Sequence, residues 1–359
     1  MPGDPGQWIQ SVTAQLHSRA TEFAVFVVAN IKNVTVVSDD YEGFSVHNDY
    51  MTERVINDIV ASLRSSGLFV QLFIGEDAFI RAVLDGTVDG IQRPKKLVYN
   101  LAQTGTGPAR KALIPTFCNL HRIPCCNSDG HVVALLRHKY HATSILRDHG
   151  FPTPSTWFFQ QSGEWLRGER PPAGSKIIVK ASYEAASIGL SKESVRVCDG
   201  DLERFARDRA RVLRQPLTVQ TFIDGYEIEV PVLSAPAPYA PIAIGVSING
   251  DRKLGEGFLD YECLDNRAYE FFDFAEENRK LANELCRVAE GAAAVLGIAG
   301  VGRIDFRATQ KGEYYITDMQ TMPDIYKQSS VHMALTRLVV DGEQFTSLVA
   351  INCARLALL

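Results

Sequence analysis

The 359-residue sequence lacks several features that mark specialised classes of protein. It contains no run of about 18 apolar residues, so a membrane-spanning helix is not expected. The N-terminal residues MPGDPGQWIQ have neither the basic nor the apolar region of a signal peptide, which predicts a cytoplasmic protein. The formal net charge of -5 gives no reason to expect a nucleic-acid partner or a membrane surface.

Cysteine is sparse and shows none of the spacings that bind zinc. The seven cysteines are odd in number, scattered, and never arranged as CxxC. This pattern favours reduced thiols in a cytosolic protein over disulfide bonds or a metal site. The cysteines are Cys118, Cys125, Cys126, Cys198, Cys263, Cys286 and Cys353.

The composition is that of a globular protein with two or three domains. Hydrophobic residues make up 46% and charged residues 22% of the chain, both ordinary values. In the first third, strands alternate with helices, which predicts an open α/β domain with a mainly parallel sheet. Ligands of such sheets lie at the carboxyl ends of strands. Residues 38–46 and 102–110 are the two candidate loops, and neither contains a GxGxxG or GxxxxGK[ST] motif. We therefore expect this domain to bind a substrate instead of a nucleotide.

The most informative stretch is VGRIDFRATQKGEYYITDMQTMP, residues 301–323. Two runs with alternating apolar and polar residues flank Lys311-Gly312, which predicts a hairpin with a two-residue turn. That turn places Asp305 opposite Asp318. The expected polar face carries Arg303, Asp305, Asp318 and Gln320. The expected packed face carries Ile304, Phe306, Thr317 and Met319.

Two carboxylates that face each other in a sheet repel unless something neutralises them. A hard cation such as Mg²⁺ would do so, because it takes one or two carboxylates together with substrate phosphates. Gln320 could add a carbonyl oxygen, and Arg303 would supply a fixed positive charge. A surface hairpin with solvated charges is the alternative, but the register and the unusual TDMQTMP strand end favour a metal and phosphate site.

Five motifs then occur in order: IPCCNSDG…HK, IIVKASYEAASIGLS, VQTFIDGYEIEV, GVGRIDF and YYITDMQTMP. Together they resemble the ATP-grasp superfamily, and within it the D-alanine–D-alanine ligase-like carboxylate–amine ligases. The resemblance covers residues 95–350 well and the first 95 residues only in their strand–helix alternation. It implies an α/β fold with α+β elements, in which central and C-terminal domains sandwich ATP behind an N-terminal parallel-sheet domain. The implied domains span residues 20–133, 134–221 and 222–359, and a homodimer is an option.

The resemblance also implies roles for individual residues. Lys139 and Lys180 match two lysines that contact the nucleotide phosphates. Residues 184–189 match a mobile loop that closes over the phosphates, with Ser187 at its tip. Residues 220–223 match the hinge that binds adenine, and Glu227 matches the acid that binds the ribose hydroxyls. The implied nucleotide-binding residues are Lys139, Lys180, Glu184, Ser187, Ile188, Gln220, Phe222, Ile223 and Glu227. The implied Mg²⁺ ligands, which could also hold Mn²⁺, are Asp305, Asp318 and Gln320. The implied catalytic residues are Ser187 and Arg303, where Arg303 stabilises the acyl phosphate and the tetrahedral intermediate.

The chain also departs from the family pattern. The family usually has glutamate at Asp318 and asparagine at Gln320. An oxyanion-hole glycine corresponds to Asp324, and a lysine near the phosphates corresponds to Leu264. The D-alanine-binding signatures are absent from the two N-terminal loops. D-alanyl-D-alanine is therefore not the expected product.

The expected function is that of an ATP-dependent ligase in specialised metabolism. It would join a small carboxylic or amino acid to an amine through an acyl phosphate, with ATP and Mg²⁺ as cofactors. The expected partners are small molecules, with no nucleic acid and no membrane. Two alternatives remain open: a nucleotide-binding module without ligase chemistry, and an ATP-dependent phosphotransferase on the same fold.

Overall fold

The computed structural model describes residues 4–359, and its N-terminal part is built on a parallel sheet. The elements are α1 (Pro5–Ser18), β1 (Phe23–Ala29), α2 (Glu53–Ser65), β2 (Phe69–Ile74), α3 (Glu76–Leu84), β3 (Lys95–Leu101) and α4 (Leu113–His121). The strand order is β2-β1-β3. Every residue of β1 is buried, because helices cover both faces of a parallel sheet and both faces are therefore apolar.

The central part contains an antiparallel sheet. Its elements are α5 (Gly130–Arg137), α6 (Lys139–Asp148), β4 (Thr156–Phe159), β5 (Lys176–Ala181), β6 (Val195–Val197), α7 (Leu202–Leu213) and β7 (Leu217–Thr221). The strand order is β4-β7-β5-β6. Two residues separate the end of strand β5 from residues 184–189, the loop predicted to cover the phosphates and called the phosphate loop below, so the sheet fixes the base of that loop.

The C-terminal part contains a larger antiparallel sheet. Its elements are β8 (Tyr226–Ala235), β9 (Ala237–Tyr239), β10 (Ile244–Ile248), α8 (Tyr261–Asp265), β11 (Tyr269–Asp273), α9 (Ala275–Leu296), β12 (Val301–Ala308), β13 (Tyr314–Gln320), α10 (Ser330–Leu335) and α11 (Gln344–Arg355). The strand order is β11-β10-β8-β12-β13, and β9 pairs with β8. The long helix α9 packs its apolar stripe, which includes Leu281, Leu285 and Ala292, against this sheet.

These three sheets confirm the predicted α/β fold with antiparallel additions. The division at residues 20–133, 134–221 and 222–359 stays a prediction. Both ends of the chain contribute to the core around β1: Leu16 of α1 and Leu348 of α11 lie in the same buried cluster as Val25. Residues from outside the first predicted range therefore complete the core of the N-terminal part.

The predicted hairpin forms from β12 and β13, and its register at the polar end is confirmed. Arg303 pairs with Gln320 and Asp305 with Asp318. The predicted two-residue turn is wrong, because Ala308 pairs with Tyr314 and leaves five residues, 309–313, in the loop.

A bulge in β13 restores the predicted register. Phe306 pairs with Ile316, so Thr317 is the extra residue before the Asp305–Asp318 pair. Strict alternation predicted that Thr317 packs in the core, but the bulge makes it line a cavity instead. The other members of the predicted packed face, Ile304, Phe306 and Met319, are buried as predicted.

All seven cysteines are free thiols. Among residues 4–359, no helix combines the length and the apolar character needed to cross a membrane.

Candidate active site

A cavity of about 1340 Å³, including its open mouth, lies between the central and C-terminal sheets. Every site residue predicted from the sequence lines this cavity: Lys139, Lys180, Glu184, Ser187, Ile188, Gln220, Phe222, Ile223, Glu227, Arg303, Asp305, Asp318 and Gln320. Residues that are up to 181 positions apart, from Lys139 to Gln320, thus reach one space. A cavity with convergent polar groups is the expected form of a small-molecule site.

One end of the cavity is formed by the paired acids of the hairpin. Arg303 donates from Nε to Asp305 Oδ1 at 2.6 Å and from Nη2 to Asp305 Oδ2 at 2.7 Å. The Lys139 ammonium donates to Asp318 Oδ2, and Gln320 Nε2 lies 3.5 Å from the same oxygen. Each acid therefore has its own cation.

The two acids differ in their electrostatic balance. Burial raises the pKa of Asp305, and Asp318 raises it further against the opposing effect of Arg303. Burial also acts to raise the pKa of Asp318, but Lys139 and Lys180 outweigh it and lower that pKa. Asp318 is therefore the acid that stays ionised most readily.

The donor set of this end fits a hard divalent cation that is shared with a phosphate ligand. Within residues 4–359, no group of three or more His, Cys, Asp or Glu side chains is placed to hold a metal. Two carboxylates and one amide oxygen are present, and hard cations commonly complete such a set with phosphate oxygens and water. The residues fit Mg²⁺ held jointly with ATP better than a metal site made by protein alone.

The loop after β5 closes the top of the cavity. Ser187 donates from Oγ to the Leu259 carbonyl at 2.6 Å, which holds the tip of the loop against the opposite wall. Ala186 and Ser187 have positive φ angles of 50° and 53°. Below the loop, Lys180 donates from Nζ to the Thr317 carbonyl at 3.2 Å, and burial lowers the pKa of Lys180 to about 8.

Glu184, at the base of this loop, faces a different set of partners from the one expected of a nucleotide contact. It is only 3% exposed, and Arg110 donates to both of its carboxylate oxygens at 2.8 Å. The Tyr41 hydroxyl donates to Glu184 Oε1 at 2.8 Å. The carboxylate therefore joins the phosphate loop to the N-terminal part of the chain.

Glu184 belongs to a buried charge cluster that sequence reasoning missed. Arg137 Nη2 lies 3.2 Å from both Asp49 Oδ2 and Glu184 Oε2, and Lys111 Nζ lies 3.3 Å from Asp49 Oδ2. Although burial opposes its charge, the neighbouring cations lower the pKa of Asp49 to about 2. Burial lowers the pKa of Lys111 to about 8. The five members, Asp49, Arg110, Lys111, Arg137 and Glu184, come from four distant segments, and no local motif connects them.

The opposite end of the cavity is organised by Arg307, which was also missed. Its Nε donates to the Ile223 carbonyl at 2.6 Å, and its Nη1 lies 3.2 Å from Glu227 Oε2. The guanidinium carbon lies 4.7 Å from the centre of the Phe222 ring. Arg307 therefore fixes the predicted hinge and the predicted ribose ligand together. The sequence did contain a signal for it: Arg307 lies two residues after Asp305, and side chains two residues apart on a strand share one face.

The wall beyond Arg303 holds further acids and two tyrosines. Arg303 Nη1 lies 3.2 Å from Glu229 Oε2, to which Ser330 Oγ donates at 2.5 Å. Burial raises the pKa of Glu229 to about 7 despite Arg303. The hydroxyls of Tyr269 and Tyr326 are 3.0 Å apart.

Asp324 lies in the same wall and was not among the site residues predicted from the sequence. Its side chain is open to the cleft. Desolvation by the cleft raises its pKa, and the charge of Asp49 adds to this shift. Arg303, Lys111 and Arg267 oppose this shift, although among residues 4–359 none of the three forms an ion pair with the carboxylate.

Comparison with known proteins relates the chain to a family. The family model described as D-ala D-ala ligase C-terminus matches residues 147–351. The D-alanine–D-alanine ligase of Saccharophagus degradans is 29% identical over 230 residues, which cover 63% of this chain and 67% of the relative.

Two solved structures share the fold. The D-alanine–D-alanine ligase of Bacillus anthracis in complex with ATP has a TM-score of 0.65 at 13% identity, covering 92% of this chain and 96% of that one. The VanG D-Ala:D-Ser ligase of Enterococcus faecalis has a TM-score of 0.64 at 13% identity, covering 92% and 99%. The family model covers more than half of the chain, which therefore belongs to the D-ala D-ala ligase family and is an ATP-dependent carboxylate–amine ligase with the ATP-grasp fold.

Proposed function

We propose that the chain phosphorylates a small carboxylic or amino acid with ATP and joins the resulting acyl phosphate to an amine. The observation that carries this proposal is the Asp305–Asp318 pair, with Arg303 and Lys139 beside it, at one end of a cavity whose other end is the hinge. A metal and phosphate end and an adenine end in one space suit a nucleotide that lies between the two antiparallel sheets.

The proposed nucleotide site extends from the hinge to the hairpin. Adenine lies against Gln220, Phe222 and Ile223, and Glu227 accepts the ribose hydroxyls. Lys139 and Lys180 neutralise phosphate oxygens, since both ammonium groups border the cavity. Catalysis of phosphoryl transfer depends mainly on such positioning and charge stabilisation.

The proposed metal site uses Asp305, Asp318 and Gln320. When bound there, Mg²⁺ would screen the negative charge of the phosphates during transfer. Lys139 is placed to move from Asp318 to a phosphate oxygen, because its ammonium already lies at the boundary between the hairpin and the cavity. Asp318 is one methylene shorter than the family's glutamate, and Gln320 is one methylene longer than its asparagine. The two changes together keep the total number of methylenes.

The remaining residues protect and stabilise the reacting group. Arg303 supplies a cation beside the position where the acyl phosphate and the oxyanion would form. Ser187 holds the phosphate loop closed through its bond to the Leu259 carbonyl. A closed loop excludes the water that would hydrolyse an acyl phosphate. Glu184 acts as a positioning residue, since it ties that loop to Arg110.

The substrates are proposed to differ from the D-alanine pair that names the Saccharophagus degradans relative. Asp324 adds a negative charge at the position of the family's oxyanion-hole glycine, and Leu264 removes a positive charge; both residues line the cavity. The N-terminal loops at residues 38–46 and 102–110 lack the family's D-alanine-binding signatures. These differences support an acid and an amine other than D-alanine.

The test is a product screen that includes D-alanine. The protein is incubated with ATP, MgCl₂ and pooled carboxylic and amino acids, with and without hydroxylamine. ADP, phosphate and amide products are measured by mass spectrometry. We expect ADP release that depends on an acid, a hydroxamate when hydroxylamine is present, and little turnover with D-alanine alone.

Each other outcome contradicts a defined part of the proposal. Efficient D-alanyl-D-alanine formation would overturn the substrate proposal and leave the ligase chemistry intact. A stable phosphorylated product would identify a phosphotransferase. ATP binding with background turnover in every pool would identify a nucleotide-binding module.

A further inference from the structure

The wall of the cavity beyond Arg303 has an unusual set of charges. Glu229 and Asp324 both line the cavity there, together with Tyr269 and Tyr326. In the proposed reaction the amine attacks beside Arg303, so the groups in this wall are placed to contact it. The following inference rests on the proposed ligase function.

Arg303 is already paired with carboxylates of the protein. Its Nε and Nη2 donate to Asp305, and its Nη1 lies 3.2 Å from Glu229 Oε2. If Asp305 turned toward a metal ion, Glu229 would still oppose the guanidinium. Glu229 is held in place by Ser330, whose Oγ donates to it at 2.5 Å. The arginine therefore has a built-in anionic partner on the amine side.

The other cation close to this wall is also engaged. Lys111, which acts to lower the pKa of Asp324, has its Nζ 3.3 Å from Asp49 Oδ2 inside the buried charge cluster. Arg267 also influences Asp324, but it is an exposed residue whose guanidinium carbon lies 5.8 Å from the centre of the Tyr326 ring. Of the three cations that act on Asp324, the two buried ones, Arg303 and Lys111, are thus engaged. A carboxylate on the amine substrate would meet only the third, Arg267, whose exposed charge is screened by solvent.

A positively charged group would meet the opposite situation. Asp324 presents a carboxylate to the cleft without a partner among residues 4–359. Tyr269 and Tyr326 line the cavity beside it, and aromatic rings attract cations through their π faces. The distance between Tyr326 and Arg267 shows that one of these rings already lies near a cation.

We propose that the amine substrate carries no carboxylate, and that its ammonium group is bound by Asp324 beside Tyr269 and Tyr326. The substrate class is a diamine, or an amine with another cationic group, instead of an α-amino acid. The cationic group stays on Asp324, while the other amino group, in its neutral form, attacks the acyl phosphate, displaces phosphate and releases its proton to solvent. Asp324 is then the residue that determines specificity for the second substrate. Glu229 contributes by occupying Arg303.

The experiment compares amino acids with the amines that remain when their carboxylate is removed. The pairs are ornithine and putrescine, lysine and cadaverine, and arginine and agmatine. Binding of each compound to the full chain with ADP and MgCl₂ is measured by calorimetry. Amide formation is measured separately with ATP and a pool of carboxylic acids.

We expect the amine of at least one pair to bind roughly tenfold or more tightly than its amino acid, because like charges at a binding site strongly disfavour the wrong partner. Asp324→Asn should remove most of this preference. Glu262→Gln, a matched change at an exposed acid outside the cavity, should keep it. A thermal melt of each variant checks that the fold is retained.

Three binding results would overturn the inference: equal or tighter binding of the amino acids, a preference that persists in Asp324→Asn, or no binding of any amine. Failure of the ligase function is recognised separately. Amines that bind without any acid-dependent ADP release would contradict the ligase proposal and keep the inference. Amide formation with amino acids only would do the reverse.

Discussion

Asp305 and Asp318 lie directly opposite each other on β12 and β13, and each carboxylate is paired with a different cation. Arg303 pairs with Asp305 from the same strand, whereas Lys139 reaches Asp318 from the start of α6. Facing carboxylates destabilise a sheet unless they are neutralised. Arg303 and Lys139 supply opposite charge to the pair, and they belong to two parts of the chain that enclose the proposed ATP site.

The first prediction concerns the carboxylate of Asp305. Asp305→Asn should lower Mg²⁺-dependent ATP turnover by about 100-fold or more, the usual scale for loss of one group that stabilises charge in a transition state. The fold should persist, because Arg303 keeps Glu229 as a partner. Turnover is measured by ADP release over a range of MgCl₂ concentrations, beside a thermal melt.

The control for this prediction is Asp208→Asn, which makes the same chemical change at an exposed position on α7. It should leave both turnover and melting unchanged. Unaltered turnover in Asp305→Asn would show that the hairpin does not hold the metal.

The second prediction concerns the ion pairs of Glu184. Glu184→Gln should destabilise the protein by about 3–5 kcal/mol, because it leaves Arg110 and Arg137 buried without one of their carboxylates. Unfolding in urea measures this loss. Glu42→Gln, at an exposed acid of the N-terminal part, should cost far less. A loss as small as that of the control would mean that Glu184 does not join the two parts of the chain.

The same cluster predicts how stability depends on acid pH. In the folded protein the pKa of Asp49 is lowered to about 2, and neighbouring cations hold the pKa of Glu184 below its ordinary value despite burial. The unfolded chain therefore binds more protons than the folded one below about pH 4.5, and stability falls as pH falls through this range toward the folded values. Melting temperatures between pH 6 and pH 3, which fall less steeply in Glu184→Gln, would confirm the linkage; parallel curves would contradict it.

The third prediction concerns the hinge. Arg307→Lys should raise the KM for ATP by about tenfold with a smaller change in kcat, because a lysine cannot bond Ile223 and Glu227 at once or stack on Phe222. Steady-state kinetics with varied ATP measures both constants. Lys311→Ala, at the exposed turn of the hairpin, is the control. An unchanged KM in Arg307→Lys would show that adenine and ribose do not bind at this end of the cavity.

The fourth prediction concerns the phosphate loop. Gly189 has a φ of 84°, and a Cβ atom there would lie 2.8 Å from Leu213 Cδ1. Gly189→Ala should displace the loop and lower kcat by about tenfold to 100-fold, since small misplacements of catalytic groups have effects of this size. Single-turnover measurements with ATP would detect the change.

Gly174→Ala is the matched control for the loop. Gly174 has a similar φ of 79°, but a Cβ atom there would meet nothing within 4 Å. The two variants share the backbone strain and differ in the clash. Equal effects on kcat would show that strain alone, and not displacement of the phosphate loop, explains the result.

Local alternation in the sequence was sufficient to place the acids of the hairpin. Asp305 and Asp318 face each other as predicted, although the turn is longer than expected and Thr317 is bulged. The longer turn and the bulge compensate, so the polar end keeps its register. Turn length and bulges depend on neighbouring strands, and a single sequence gives little information about them.

Residues that act through distant partners could not be found in this way. Glu184 looks like a member of the phosphate loop, but its carboxylate bonds to Arg110, 74 positions away. Asp49 and Lys111 also meet only in the folded chain. Arg307 and Glu229, in contrast, alternate with predicted site residues and were recognisable from the strand period alone.

The account depends most on the formation of an acyl phosphate, which can be followed by isotope transfer. A pool of carboxylic acids labelled with ¹⁸O in the carboxyl group is incubated with the protein, ATP, MgCl₂ and an amine pool. The phosphate released is analysed by mass spectrometry. If the carboxylate is phosphorylated before the amide bond forms, each phosphate that accompanies amide formation carries one ¹⁸O atom from the acid. Phosphate without ¹⁸O would show that ATP is cleaved by another route, and would contradict the proposed ligase mechanism.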